Sequence, residues 1–120
     1  MPVCWLIPMA NKHKAKGTAF ESAIVTYLME RGRKAYRIAQ AGKLDKGDIH
    51  LDDRIAIEAK SVKKFDLAGF VEQAQSEAVN AGLPVGVAVV KRIRKGTASA
   101  YVVCTLEDFV NLIELLERED

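Results

Sequence analysis

The chain has 120 residues, is 49% hydrophobic and 28% charged, and so has the make-up of one globular domain, which excludes a disordered tail. No apolar run reaches the ~20 residues of a membrane helix, and the apolar Met1–Ala10 lacks a basic stretch ahead of it, which argues against a secretory signal. Two cysteines, Cys4 and Cys104, make neither a disulfide framework nor a four-ligand zinc site, so a reducing cytoplasm is expected. The net charge of +2 is uneven: residues 1–64 carry 13 basic and 7 acidic side chains, residues 65–120 carry 5 and 9. A basic half suggests a polyanionic partner, most often nucleic acid.

In chain order, residues 1–16 read as an arm ending in the basic group Lys12, His13, Lys14 and Lys16, and residues 17–120 as a single domain. From Thr18 to Arg31, Phe20, Ile24, Tyr27 and Leu28 recur at helical spacing, and Gly32 marks a stop. Residues 34–38 suit a short strand and 40–47 a loop with two lysines. Asp48–Leu51 and Ile55–Lys60 alternate around Asp52-Asp53-Arg54, as a hairpin does. A helix is expected over 67–81, stopped by Gly82, then a doubly buried strand over Val85–Val90. A strand over Ala98–Cys104 and a helix over Leu106–Glu117, with Phe109, Val110, Ile113 and Leu116 inward, complete the order α-β-β-β-α-β-β-α. That order predicts an α/β fold with a central mixed sheet flanked by helices.

The hairpin carries the chemistry. Its odd positions, Ile49, Leu51, Ile55, Ile57 and Ala59, are apolar; its even positions include Asp48, His50, Glu58 and Lys60. A three-residue loop sets Leu51 opposite Ile55 and therefore Asp48 opposite Glu58. Opposed residues have Cβ atoms only ~4.5–5.5 Å apart. Two carboxylates that close repel unless a proton or cation lies between them. Oxygen ligation suits Mg²⁺ or Mn²⁺ rather than zinc. The bland reading of the same trio is a salt-bridge cluster on a solvated sheet face. His13 and His50 read as non-ligands.

Gly47-Asp48 followed by Ile55-Ala56-Ile57-Glu58-Ala59-Lys60 resembles the Asp…Glu-x-Lys signature of the PD-(D/E)XK nuclease superfamily. Lys16-Gly17-Thr18-Ala19-Phe20-Glu21 is similar to the opening helix of archaeal-type Holliday-junction resolvases, and Phe70-Val71-Glu72-Gln73-Ala74 to the family's glutamine-bearing helix. Gly47 stands where the family often has Pro, and the 40–47 loop lacks the serine that many resolvases carry there. The resemblance implies a restriction-endonuclease-like core and a Mg²⁺-dependent endonuclease, with Mn²⁺ as substitute, acting as a homodimer on branched four-way DNA junctions.

By that resemblance Asp48, Glu58 and the Ala59 carbonyl hold the metal, Lys60 serves the attacking water, and Glu21, also catalytic, reaches the metal through water or at a second site. Thr18-x-x-Glu21 is also a capping box, which would give Glu21 a purely structural role. Gln73 is expected to orient water or touch a phosphate. Lys16, Lys43, Lys46, Lys63, Lys64, Arg92 and Arg94 are candidate phosphate contacts. The alternatives are a single-strand, flap or exonucleolytic nuclease of the same superfamily, or a silent nucleic-acid-binding module.

Overall fold

The structure, a computed structural model, describes residues 8–39 and 42–118. Met1–Ile7 of the expected arm and the side chains of Lys12, His13, Lys14 and Lys16 lie outside the described residues. Helix α1 runs over Pro8–Glu30, so it begins at Pro8 rather than at Thr18. Proline suits the first helical position, and the alanines and lysines that follow are strong helix formers. Thr18 therefore lies inside the helix, and the expected capping box with Glu21 does not form. The helix closes at Gly32 (φ +81°), with the Arg33 N–H donating to the Leu28 carbonyl at 3.0 Å.

The strands are β1 (Ala35–Arg37), β2 (Ile49–Leu51), β3 (Ile55–Lys60), β4 (Val85–Val90) and β5 (Tyr101–Val103). They stand in the sheet in chain order, parallel between β3 and β4 and antiparallel elsewhere. Helix α2 (Leu67–Ala81) makes the parallel crossover. Asp66 caps its start by accepting from the Gly69 N–H, and Gly82 (φ +71°) ends it in the left-handed region. Both α2 and β4 have the expected bounds, and every residue of β4 is buried. The last strand is shorter than expected, because Thr97–Ser99 form a 3₁₀ turn. Helix α3 covers Leu106–Arg118.

Two layers cover the sheet. On the odd-numbered face Ile49, Ile57, Val85, Val87 and Val89 pack with Phe20 and Ile24 of α1. On the even-numbered face α2 lies close, with buried Ala74 and Ala78. A Cβ on Gly86 would stand 2.3 Å from the Ala74 carbonyl oxygen, so only glycine permits this approach. The polar hairpin face is therefore covered by α2 rather than solvated, and Glu58 is buried.

Helix α3 presents a different face from the one its periodicity suggests. Leu112 and Leu115 pack on the core, whereas Phe109, Val110, Ile113 and Leu116 are exposed. The apolar arc of α3 is too wide for the chain to bury all of it. Its docking is fixed by Asp108, buried, whose Oδ2 accepts from the Gly86 N–H at 3.1 Å where β5 no longer pairs with β4. An apolar cavity of about 250 Å³ remains between α1, α3 and the odd face, lined by Ile24, Leu28, Ile55, Val87 and Leu112 among others. Among the described residues no helix is long and apolar enough to cross a membrane.

Candidate active site

The hairpin has the expected register, with Leu51 opposite Ile55 and Ile49 opposite Ile57. Asp52 and Asp53 turn the chain with φ of 54° and 57°, a conformation that Asp tolerates better than most residues. Asp52 pairs with Arg33, while Asp53 pairs with Lys34 at 2.5 Å and accepts from the Tyr36 hydroxyl at 2.7 Å. These contacts fasten the turn to β1.

Asp48 sits one residue ahead of β2. Its N–H donates to the Ile57 carbonyl and its carbonyl accepts from Ile38, both at 2.9 Å. Its Oδ2 accepts from the Ala59 N–H at 2.9 Å, so the side chain stands where the ladder would otherwise continue. Gly47 approaches with φ +99°. Proline, held near −65°, cannot occupy that position, which explains the departure from the Pro-Asp pattern.

From β3, Glu58 and Lys60 point to the same side and meet Gln73 of α2. Gln73 donates its amide to Oε2 of Glu58 at 3.1 Å and accepts from Nζ of Lys60 at 2.8 Å. Lys60 also lies 3.1 Å from the same Oε2 and 5.3 Å from the centre of the Phe70 ring. Oε1 of Glu58 is buried with no hydrogen-bond partner. Burial pushes the Asp48 carboxyl up to about 7, the charges of Glu58 and Glu21 add to the rise, and the Ala59 N–H opposes it. Carboxyls held this way are short of positive charge. Their donor set is oxygen alone, and it fits a hard divalent cation.

Two further carboxylates join the site, and sequence reasoning missed both. Glu77 of α2 is 1% exposed, and neither of its oxygens has a hydrogen-bond partner. Asp45 comes from the loop before Asp48. Asp45, Glu58 and Glu77 each offer an oxygen within 4.8 Å of the others. Burial drives the Glu77 carboxyl up to about 9, with Glu58 and then Asp45 contributing. Glu77 had a signal: it falls with Phe70, Ala74 and Ala78 at helical spacing, a carboxylate in an apolar stripe.

The remaining expected residues divide. Glu21 is near enough for its charge to reach Asp48, yet its Oε1 also pairs with Arg37 of β1 at 3.1 Å. Lys43, Lys46, Lys63, Lys64 and Arg94 are exposed. Arg92 instead stacks over Tyr101, 4.8 Å from its ring centre. His50 places Nε2 2.8 Å from the Lys46 carbonyl oxygen.

A five-stranded mixed sheet with helices on both faces, holding an Asp against Glu-x-Lys, is the restriction-endonuclease-like architecture. Among solved structures it is similar to Hjc of Archaeoglobus fulgidus, a Holliday junction resolvase from an archaeal hyperthermophile. The two share 31% identity over 67% of this chain and 67% of that one, with a TM-score of 0.50. The chain belongs to the archaeal-type Holliday junction resolvase family of the PD-(D/E)XK nuclease superfamily. No protein-family model and no curated protein matches it.

Proposed function

We propose that this chain is a Mg²⁺-dependent endodeoxyribonuclease that cuts four-way DNA junctions as a homodimer, working on DNA in the cytoplasm. The observation that carries the reading is the Glu58–Gln73–Lys60 chain set beside Asp48, four polar groups brought together from β3, α2 and the residue ahead of β2. The resolvase similarity supports the choice of a junction as substrate.

Asp48, Glu58 and the Ala59 carbonyl would hold the cation, with Glu21 beside them. When bound, the cation supplies Lewis-acid charge at the phosphodiester and makes water a stronger acid. The protein's own part is positioning. The Ala59 N–H fixes Asp48, and Gln73 fixes both Glu58 and Lys60. Lys60 places an ammonium donor where negative charge grows on the phosphate. Lys16, Lys43, Lys46, Lys63, Lys64, Arg92 and Arg94 would contact phosphates around the site, which fixes orientation without reading bases.

Two symmetric nicks in one junction need two sites, and two-fold homodimers are the commonest oligomer. The exposed apolar face of α3 supports pairing of two copies through that helix.

The test is cleavage of matched four-way junction, duplex, flap and single-stranded DNA with Mg²⁺, Mn²⁺ or EDTA, beside Asp48→Asn. Paired nicks on the junction, abolished by EDTA and by the substitution, are expected. Metal-dependent cleavage of the other substrates alone would remove the junction from the proposal. Binding without cleavage under any metal would make the chain a silent DNA-binding module.

A further inference from the structure

Asp45 and Glu77 gather with Glu58 on its α2 side, and the chemistry above uses neither of these two. Three carboxylates within 4.8 Å of one another are ordinary on a surface but not where two of them are 1% and 6% exposed. Burying a carboxylate costs several kcal/mol unless it is protonated, paired or bound to a cation. Lys60 and Gln73 satisfy Oε2 of Glu58, but neither reaches its Oε1 or either oxygen of Glu77. Glu58 and Glu77 thus carry three buried oxygens without a hydrogen-bond partner, and each residue offers one oxygen to this group.

The third member is held in place. The Asn80 amide of α2 donates to the Asp45 carbonyl at 2.8 Å, and the Gly47 N–H donates to Oδ1 of Asp45 at 2.9 Å. The loop is thus anchored to α2 before any ligand arrives. Gly47 leaves room: a Cβ there would stand 3.7 Å from Oε1 of Glu77.

We infer that Asp45, Glu58 and Glu77 form a second cation site, separate from the one at Asp48, which takes a hard divalent cation on carboxylate oxygen. Glu58 is common to both sites; Asp45 and Glu77 belong to this one alone, and Asp48 to the other. A cation here neutralises the buried charge and ties the loop bearing Lys43 and Lys46 to α2 and β3. The inference stands on these residues and needs no cleavage activity.

The test is Mn²⁺ binding to the purified 120-residue chain, counted by the loss of the free-ion electron paramagnetic resonance signal and by titration calorimetry. The wild type is expected to bind two ions per chain. Glu77→Gln and Asp45→Asn should each bind one, and circular dichroism should report a folded chain. Asp45→Asn alters an exposed loop residue and keeps an acceptor for the Gly47 N–H, so it remains informative if Glu77→Gln misfolds. Asp48→Asn should lose the other ion and retain this one. Unchanged stoichiometry and affinity in both Glu77→Gln and Asp45→Asn would overturn the inference and leave Glu77 as a buried protonated acid. That result would leave the Asp48 site standing. If Asp48→Asn alone kept full binding, the proposed catalytic metal would fall while this second site remained.

Discussion

Nζ of Lys60 donates to Oε1 of Gln73 across 2.8 Å and so ties the last residue of β3 to the second turn of α2. Without Gln73 the ammonium keeps only Glu58 and the Phe70 face. Misplacing a reacting group by ~1 Å costs on the order of 10²-fold in rate. Gln73→Ala should therefore slow single-turnover junction cleavage in Mg²⁺ by about that factor, with little change in junction affinity in EDTA. A parallel loss of affinity would instead assign Gln73 to phosphate contact.

Much of this arrangement was legible in the sequence, for identifiable reasons. Period-two alternation on both sides of Asp52-Asp53 dictates the hairpin register, because a one-residue slip would set Ile49 and Ile57 on opposite faces of the sheet. Gly82 and the apolar run 85–90 punctuate α2 and β4 clearly. The start of α1 was hidden because Gly17-Thr18 with Glu21 imitates a helix start, while Pro8 at a first-turn position marks the true one. The facing of α3 was hidden because seven of its residues, Leu106, Phe109, Val110, Leu112, Ile113, Leu115 and Leu116, are apolar and no single stripe is dictated. Asp45 and Glu77 were hidden because what joins them is tertiary: the 42–47 loop folds back onto α2 through Asn80.

The buried carboxyls give stability an unusual pH dependence in metal-free protein. Glu77 rises from 4.5 to about 9 and Asp48 from 3.8 to about 7 on folding. Between each pair of values the folded chain holds a proton that the unfolded chain has released, so stability falls as pH rises. The contribution is fully present below the unfolded values, and Glu77 completes its loss near pH 9. In EDTA, Glu77→Gln should flatten the decline between pH 7 and 9 and raise the melting midpoint at pH 8. Each kcal/mol relieved corresponds to ~4 °C in a domain of this size. Melting curves at pH 5, 7 and 9 test this; an unchanged slope would mean that Glu77 ionises freely in the folded chain.

Lys43 and Lys46 are exposed on the loop that leads into Asp48. If both touch phosphates, the double substitution Lys43→Ala with Lys46→Ala should weaken junction binding. It should also reduce the slope of log K against log salt by about 2, since each neutralised phosphate contributes ~0.9. Fluorescence anisotropy at 50 to 200 mM salt measures it. Equal slopes for the two proteins would leave the loop lysines as ordinary solvated charges.

The outer face of α3 leaves Phe109 53% and Leu116 62% exposed, with Val110 and Ile113 between them. Contiguous apolar surface of this kind marks an association site more often than free surface. A two-fold axis would bring the same helix of a second copy against it, with Phe109 and Ile113 on both sides of the contact. Leu112, Leu115 and Asp108 hold α3 to the sheet along a neighbouring stripe, so a change at exposed Phe109 and Ile113 should leave the monomer folded. Phe109→Glu with Ile113→Glu is expected to convert a dimer of twice 13.2 kDa to a single chain in sedimentation equilibrium, with melting behaviour otherwise retained. The same variant should nick junction DNA on one strand at a time, because each Asp48–Glu58–Lys60 site remains intact while the symmetric pairing is gone. A wild type that sediments as a single chain would remove α3 as the pairing surface.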